Sequence, residues 1–284
     1  MSPFVIPTRV VWTALAAERG WLRIREAAAR QRDPMRVTEV ALRSPEGYTL
    51  PARLHLPVGA GPFPAVLFCP GGLDGTRGAE GLSPVLTAPR LARHGVATLA
   101  WSPSGRDGSP GAEDRNGLLH QEECRNALRA LLEHPAVDPD RVVVLSISFG
   151  LVLALGALTR WPDLALRIRG LVDWEGPPSR KWFEASRLKF WTIDEPWWAP
   201  REAERSIGRL RCPYERFQSA WDHVHGPDHG LGEEIVDAAL AAGVPTVRFN
   251  GVDATVRPRM YAPISLRAQG DQLLAIVKER LGVD

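Results

Sequence analysis

One serine stands where the sequence could build a nucleophile. Residues 140–150, DRVVVLSISFG, have the pattern of a buried strand that runs into a sharp turn at Ser148. The small residues Ser146 and Gly150 flank this turn, so the backbone could pass close by and leave the Ser148 hydroxyl exposed. A serine hydroxyl attacks a carbonyl carbon only when a neighbouring base removes its proton. The segment therefore predicts a candidate nucleophile, and its base must be found elsewhere.

The turn and its surroundings resemble the α/β-hydrolase superfamily. The block VDPDRVVVLSISFGLVLAL has that superfamily's Asp-Pro-x-Arg lead-in, strand, serine turn and helix. An earlier loop, GGLDGTRG, is similar to a branch of capped esterases and C–C bond hydrolases with Gly-Leu-Asp at this position. The resemblance spans residues 36–284 and implies that Ser148 is the nucleophile. It also implies two amides that hold the oxyanion, one from Phe149 and one from Gly72 or its neighbour Leu73.

The acid of the site is harder to assign. In the superfamily the chain order is Ser, then Asp or Glu, then His. Asp222 follows the strand predicted in YERFQSAWD and is our choice, with Asp173 and Glu175 at the end of LVDWEG as alternatives. The sequence departs from the pattern after this point, because no histidine follows His229. Asp253 occupies approximately the place where the late histidine is expected.

Three interpretations of the base remain open. First, His223, His225 or His229 could fold back over Ser148. Second, Asp253 or another carboxylate could act as a weaker base. Third, the site could have lost hydrolysis and kept ligand binding or a cofactor-free reaction.

The same histidines also suggest a metal site. The segment His223-Val-His225-Gly-Pro-Asp228-His229 is similar to the His-x-His-x-Asp-His signature of metallo-β-lactamases, with one extra residue. Imidazoles favour zinc and similar metals. The surrounding strand pattern is that of an α/β hydrolase, so we predict neither a metal nor a cofactor.

Residues 176–209 interrupt the regular pattern of the chain and are interpreted as an inserted cap. They contain four tryptophans: Trp182, Trp191, Trp197 and Trp198. Tryptophans usually bury a large area, so a cap over the serine turn would form an apolar pocket for an acyl, aryl or polyketide-like substrate. Alternatively, these rings only pack the cap onto the sheet.

The elements that must position these residues follow one another regularly. From residue 36, RVTEVALRS and YTLPARLHLP alternate apolar and polar residues and predict an antiparallel hairpin. Continuous apolar runs then predict parallel strands buried on both faces; these runs are PAVLFCPGG, VATLAWSP, RVVVLSIS, IRGLVDWEG, YERFQSAWD and TVRFNG. Helices are predicted between them, near 84–94, 118–134, 149–159, 231–242 and 270–281. The alternation predicts an α/β fold, and the resemblance implies an α/β-hydrolase fold with a mostly parallel central sheet, helices on both faces and the inserted cap.

Residues 1–35 are predicted to form a helical extension before the main domain of residues 36–284. Its Val11, Leu15, Leu22 and Ile24 lie among charges, as in an amphipathic helix.

Composition excludes several classes of protein. The 284 residues carry a net charge of +2, which gives no electrostatic reason to expect nucleic acid or an anionic membrane as partner. The three cysteines are odd in number and widely spaced, so they suggest neither a disulfide framework nor a zinc knuckle. No stretch approaches the roughly 18 apolar residues of a transmembrane helix. We expect a cytoplasmic protein whose partner is a hydrophobic small molecule, and we consider a homodimer as its oligomeric state.

Two functions follow from these features. The first is a serine-dependent esterase or acyl hydrolase, which the intact serine turn favours. The alternative is a non-hydrolytic protein of the same fold, for ligand binding or a cofactor-free lyase or cyclase reaction, which the missing late histidine favours. A metal-dependent hydrolase is a third possibility.

Overall fold

A central sheet organises the computed structural model, which describes residues 8–32, 35–183 and 194–283. The strands are, in chain order, β1 (Arg36–Glu39), β2 (Leu42–Arg43), β3 (Thr49–Leu50), β4 (Ala52–Leu56), β5 (Phe63–Cys69), β6 (Ala97–Trp101), β7 (Val137–Ile147), β8 (Gly170–Trp174), β9 (Tyr214–Phe217), β10 (Val247–Phe249) and β11 (Val252–Asp253). Nine of them form one sheet in the order β1-β4-β6-β5-β7-β8-β9-β10-β11, and β2 pairs with β3. The mostly parallel sheet is confirmed, because neighbours from β6 to β10 run parallel and antiparallel strands lie at both edges.

Helices cover both faces of the sheet, as the sequence predicts. They are α1 (Thr8–Arg32), α2 (Ala88–Arg93), α3 (Leu118–Leu132), α4 (Gly150–Arg160), α5 (Pro162–Ala165), α6 (Glu195–Trp198), α7 (Gly230–Ala241) and α8 (Leu266–Leu281). Alternate residues of β7 point to opposite faces: Val144 joins a core cluster with α3, α4 and α7, while Val143 joins one with α1, α2 and α8. The α/β-hydrolase fold predicted from the alternating elements is therefore confirmed.

Helix α1 docks on the main body through two buried or half-buried glutamates. Glu18 accepts hydrogen bonds from the Ser265 hydroxyl (2.6 Å) and from the backbone amide of Leu266 (2.9 Å), at the first turn of α8. Glu26 accepts two bonds of 2.7 Å from Arg93 of α2. Val11 and Leu15 are buried as expected. The helix is thus fixed to two other elements.

One expectation for α1 is wrong. Ile24 is 71% exposed, although the sequence pattern assigned it to the apolar face. It lies two residues, or about 200° of helical rotation, from Leu22, which packs against the core. It therefore faces solvent.

Short helical turns make up the described part of the predicted cap. Residues 176–183 and 194–209 contain α6 and 3₁₀ turns at Arg180–Trp182, Ala199–Arg201, Ala203–Arg205 and Ile207–Arg209. Trp191 lies outside the described residues. Within the described ranges, no helix is long and apolar enough to cross a membrane.

Candidate active site

Ser148 occupies a strained turn between β7 and α4. Its φ of +53° is unusual for a residue with a side chain, and such strain concentrates at functional sites. The turn needs glycine at position 150, since a Cβ there would lie 2.3 Å from the backbone oxygen of Cys69. Ser146 fits where superfamily members usually have glycine, because its buried hydroxyl donates to Asp173 (3.2 Å). The local sequence thus holds the Ser148 hydroxyl clear of the strand.

His223 is the base candidate that reaches Ser148. Its Nε2 lies 2.9 Å from the Ser148 Oγ, and its Nδ1 lies 2.8 Å from Oε2 of Glu175. The ring also packs against Trp174, with 4.4 Å between ring centroids. A hydrogen on Nδ1, donated to the carboxylate, leaves Nε2 as the acceptor for the serine proton.

Glu175 is buried at the carboxyl end of β8, and five hydrogen bonds hold its carboxylate. Oε2 accepts from both the backbone amide (3.0 Å) and the ring of His223. Oε1 accepts from the Ser219 amide (3.0 Å), from the Ser219 hydroxyl and from the Gln218 side chain (3.5 Å). These bonds fix the position of the carboxylate and, through it, the orientation of the His223 ring.

The structure differs from our choice of Asp222 as the acid beside the base. The Asp222 carboxylate lies 4.0 Å from Nδ1 of His223, but 3.0 Å from Nδ1 of His225. Its Oδ1 also accepts from the amides of Val224 and His225, both at 2.9 Å. Burial raises the pKa of Asp222, but the hydrogen bond with His225 and the charge of His223 outweigh it, so the pKa lies well below its usual range. Asp222 shapes the loop, and Glu175, the alternative from the sequence, is the partner of His223.

The other two histidines of the loop are held by groups other than Ser148. The Nε2 of His225 lies 2.8 Å from the backbone oxygen of Trp182, so both of its ring nitrogens are engaged. His229 stacks on Tyr261 with 4.0 Å between ring centroids. The three histidines therefore do not converge on one point.

The group best placed for a metal is Glu175, Asp222 and His223, whose donor atoms lie within 4.8 Å of one another. Both carboxylates already accept N–H donors on each of their oxygens. These hydrogen bonds engage the carboxylate oxygens that would otherwise coordinate a metal.

Asp253, the carboxylate proposed as a weaker base, lies far from Ser148. It is on the edge strand β11, four strands from β7, which corresponds to roughly 19 Å across a sheet. Its Oδ1 accepts from the amide (2.9 Å) and hydroxyl (2.7 Å) of Thr255. The chain reverses at Gly251 into this hairpin, so the segment after β10 turns away from the serine.

A cavity of about 970 Å³ opens beside Ser148. Gly72 and Phe149 line it together with Ser148, and Gly72 has a φ of +58° that favours glycine. Leu73, the alternative oxyanion residue, is 38% exposed and is absent from the described cavity wall. The geometry therefore favours Gly72.

The tryptophans of the predicted cap do not all face this cavity. Trp182 lines it. Trp198 is instead buried against Phe149 and Phe183, and Trp197 packs edge-on against Trp198, with 4.8 Å between ring centroids. The expectation that Trp197 and Trp198 contact substrate is corrected, because these rings fill the space behind the pocket.

Sequence reasoning missed three other tryptophans of the wall. Trp12, Trp174 and Trp221 line the cavity, and Trp12 of α1 packs edge-on against Trp221 with 5.8 Å between centroids. The position of Trp174 directly before Glu175 at a strand end was a usable signal. Nothing local indicated that residues of α1 reach the site.

Comparison with known proteins agrees with this architecture. A family model described as "Esterase FrsA-like" matches residues 15–159, just over half of the chain. The chain belongs to the FrsA-like esterase family. The matched range contains Gly72 and Ser148, while Glu175 and His223 lie beyond it.

Curated relatives carry the same family name. Esterase FrsA of Enterobacter sp. is 35% identical and that of Citrobacter koseri 38% identical, each over 130 residues. The match covers 45% of this chain and 29% of each relative. The chain thus spans less than a third of the length of these relatives.

Solved structures share the fold at low sequence identity. A puromycin-hydrolysing peptidase of Mycobacterium tuberculosis aligns over 88% of this chain and 40% of its own, with a TM-score of 0.66 and 20% identity. A putative dienelactone hydrolase of Klebsiella pneumoniae aligns over 88% of this chain and 99% of its own, with a TM-score of 0.59 and 15% identity. Both likenesses concern the α/β-hydrolase fold.

Proposed function

We propose that the protein is a serine-dependent esterase in which Ser148 is the nucleophile, His223 the general base and Glu175 the acid. The observation that carries the proposal is the unbroken hydrogen-bonded chain from Ser148 to His223 (2.9 Å) and from His223 to Glu175 (2.8 Å). These residues follow one another in the order Ser, Glu, His, as in α/β hydrolases. Membership of the FrsA-like esterase family supports the same reaction class.

The geometry suits a two-step acyl transfer. Ser148 Oγ attacks the ester carbonyl carbon while Nε2 of His223 takes its proton, and the charge of Glu175 stabilises the resulting imidazolium. Backbone amides of Phe149 and Gly72 receive the negative charge on the carbonyl oxygen. His223 then protonates the leaving alcohol, and water, deprotonated by the same nitrogen, releases the acid from Ser148.

The cavity wall supports a hydrophobic substrate. Aromatic rings of Trp12, Trp174, Trp182, Phe183 and Trp221 line it beside the serine. Apolar walls of this kind bind acyl chains or aryl groups and exclude water. The argument for a non-hydrolytic protein rested on the missing late histidine, and it loses its force because His223 contacts Ser148.

Hydrolysis of p-nitrophenyl butyrate by purified variants tests the proposal. Ser148→Ala removes the nucleophile and is expected to lower kcat by about 1,000-fold or more. Ser146→Ala is the matched control, since this serine is buried and its hydroxyl faces Asp173. Its rate is expected to stay within about tenfold of the wild type. Wild-type activity in Ser148→Ala would overturn the proposal.

A further inference from the structure

The cavity wall contains a half-buried arginine whose Nε has no hydrogen-bond partner among the described residues. Arg19 of α1 lines the same cavity as Ser148 and His223. Its Nε is buried, and no hydrogen-bond acceptor for it lies within the described ranges. Burying an unpaired cationic donor is unfavourable, so a buried arginine normally has an anionic or carbonyl partner.

The acids of the cavity do not supply that partner. Glu175 is engaged by His223, Ser219 and Gln218. Asp74 lines the same cavity, but Arg19 is not among the three arginines whose charges act on it. Arg9, an exposed cation of the same helix, also lines the wall. The wall formed by α1 is therefore positively charged.

We propose that Arg19 binds a carboxylate of the substrate, so that the preferred ester carries a negative charge away from the bond that is cleaved. This inference rests on the proposed esterase function and adds the substrate class. The guanidinium presents donors in a planar fork that matches a carboxylate.

The rest of the cavity is consistent with such a molecule. Its volume of about 970 Å³ accommodates a small organic ligand. Trp12 and Trp182 line the same cavity, and their rings would contact the apolar part of such a molecule. Half esters of dicarboxylic acids, and esters of carboxyaryl compounds, combine an ester, an apolar part and a separate carboxylate.

Matched substrates test the inference. The p-nitrophenyl half esters of glutaric, adipic and suberic acid are compared with the neutral pentanoate, hexanoate and octanoate esters. To test a carboxylate on the leaving group, hydrolysis of 4-acetoxybenzoate is compared with hydrolysis of phenyl acetate. The wild type is expected to prefer the best carboxylate ester over its neutral counterpart by about 10-fold or more in kcat/KM.

Variants of α1 assign the preference to Arg19. Arg19→Gln is expected to lose about 10- to 100-fold of kcat/KM on that carboxylate ester, mainly through KM, and to stay within about twofold on the neutral ester. Arg19→Lys should restore part of the preference, since it keeps the charge without the planar fork. Arg25→Gln removes the same charge from an exposed residue of α1 that stacks on Trp21 outside the described cavity wall, and should match the wild type.

The outcomes separate this inference from the proposed function. Hydrolysis of neutral esters through Ser148 without any preference for a carboxylate, or an equal preference in Arg19→Gln, would overturn the inference and leave the esterase proposal standing. If no ester is hydrolysed, the esterase proposal fails. Calorimetric titration of the wild type with adipate and with hexanoate then decides the role of Arg19 alone: adipate binding that Arg19→Gln abolishes supports it, and its absence overturns it.

Discussion

Replacing Glu175 with glutamine tests which carboxylate serves the base. One oxygen of Glu175 accepts two N–H groups of His223, at 3.0 and 2.8 Å, and the other accepts from the Ser219 amide and hydroxyl. Glutamine has one oxygen and one NH₂ group, so its NH₂ must face donors on one of these sides. Where it faces His223, Nδ1 has to act as acceptor. The hydrogen then sits on Nε2, which can no longer take the proton of Ser148.

The size of the effect follows from the lost charge. The imidazolium and the buried carboxylate are separated by roughly 4 Å between charge centres, which is worth about 4 kcal/mol at an effective dielectric constant of about 20. Each 1.36 kcal/mol changes a rate about tenfold, so Glu175→Gln should lower kcat by about 1,000-fold. Loss of the correct tautomer acts in the same direction.

Asp222→Asn is the matched control. Its carboxylate contacts the ring of His225 at 3.0 Å and is 4.0 Å from the Nδ1 of His223. We expect kcat to fall less than in Glu175→Gln, because Asp222 lies farther from the His223 ring and is hydrogen-bonded to His225 instead. The melting temperature should fall, because a buried hydrogen-bonded group is altered. The assay is steady-state ester hydrolysis, with circular dichroism to show that both variants are folded. A loss of about 1,000-fold in Asp222→Asn with near wild-type activity in Glu175→Gln would refute the assignment.

Three further changes probe the surroundings of the site. Asp253→Asn should leave kcat and KM unchanged in the ester assay, because Asp253 lies on the edge strand β11 and its carboxylate accepts hydrogen bonds from Thr255. A large loss of activity would contradict the position of Asp253 far from Ser148. Gly150→Ala should destabilise the protein, by about 1–3 kcal/mol in urea unfolding, since the new Cβ would lie 2.3 Å from a backbone oxygen; unchanged stability would argue against the tight turn. His225→Gln should change how stability depends on pH. Burial lowers the pKa of His225, but the hydrogen bond and charge of Asp222 outweigh it and raise the pKa above 6.5. The stability that protonated His225 contributes is therefore fully present below pH 6.5 and lost as pH rises through the folded-state pKa. Melting temperatures from pH 6 to 9 should fall more steeply in the wild type than in the His225→Gln variant. Parallel curves would contradict a raised pKa of His225.

Local patterns predict the strands and the serine turn because the forces that form them are local. Continuous apolar runs favour strands buried on both faces, and Ser146, Ser148 and Gly150 mark the turn through their sizes and spacing. The loop of His223 was among the sequence-based candidates, because its histidines stand next to a predicted strand end. Short segments of sequence therefore predict the strands, the serine turn and the histidine loop.

The choice between Glu175 and Asp222 depends on strand register, which the sequence does not display. Pairing of Trp174 with Phe217 brings the residue after β8 alongside Ser219 and the start of the histidine loop. The acid candidate thus lies one strand earlier in the sheet than our choice of Asp222, and the histidine lies one strand earlier than the usual superfamily position. Asp222 is adjacent to His223 in the chain, but its carboxylate accepts hydrogen bonds from the amides of Val224 and His225 in the same loop.

The position of Arg19 in the cavity wall was equally invisible from the sequence. It depends on how α1 docks, through Glu18 on α8 and Glu26 on Arg93, and such long-range contacts leave no periodic signal. Scattered arginines in the sequence pointed to no particular surface.

Labelling with a fluorophosphonate tests the central claim, an activated Ser148, most directly. Such probes react rapidly with a serine whose proton is removed by a neighbouring base. Intact mass spectrometry of the wild type should show one fast adduct, which is absent in Ser148→Ala and much slower in His223→Gln. An unlabelled wild type, or equally fast labelling without His223, would contradict the account.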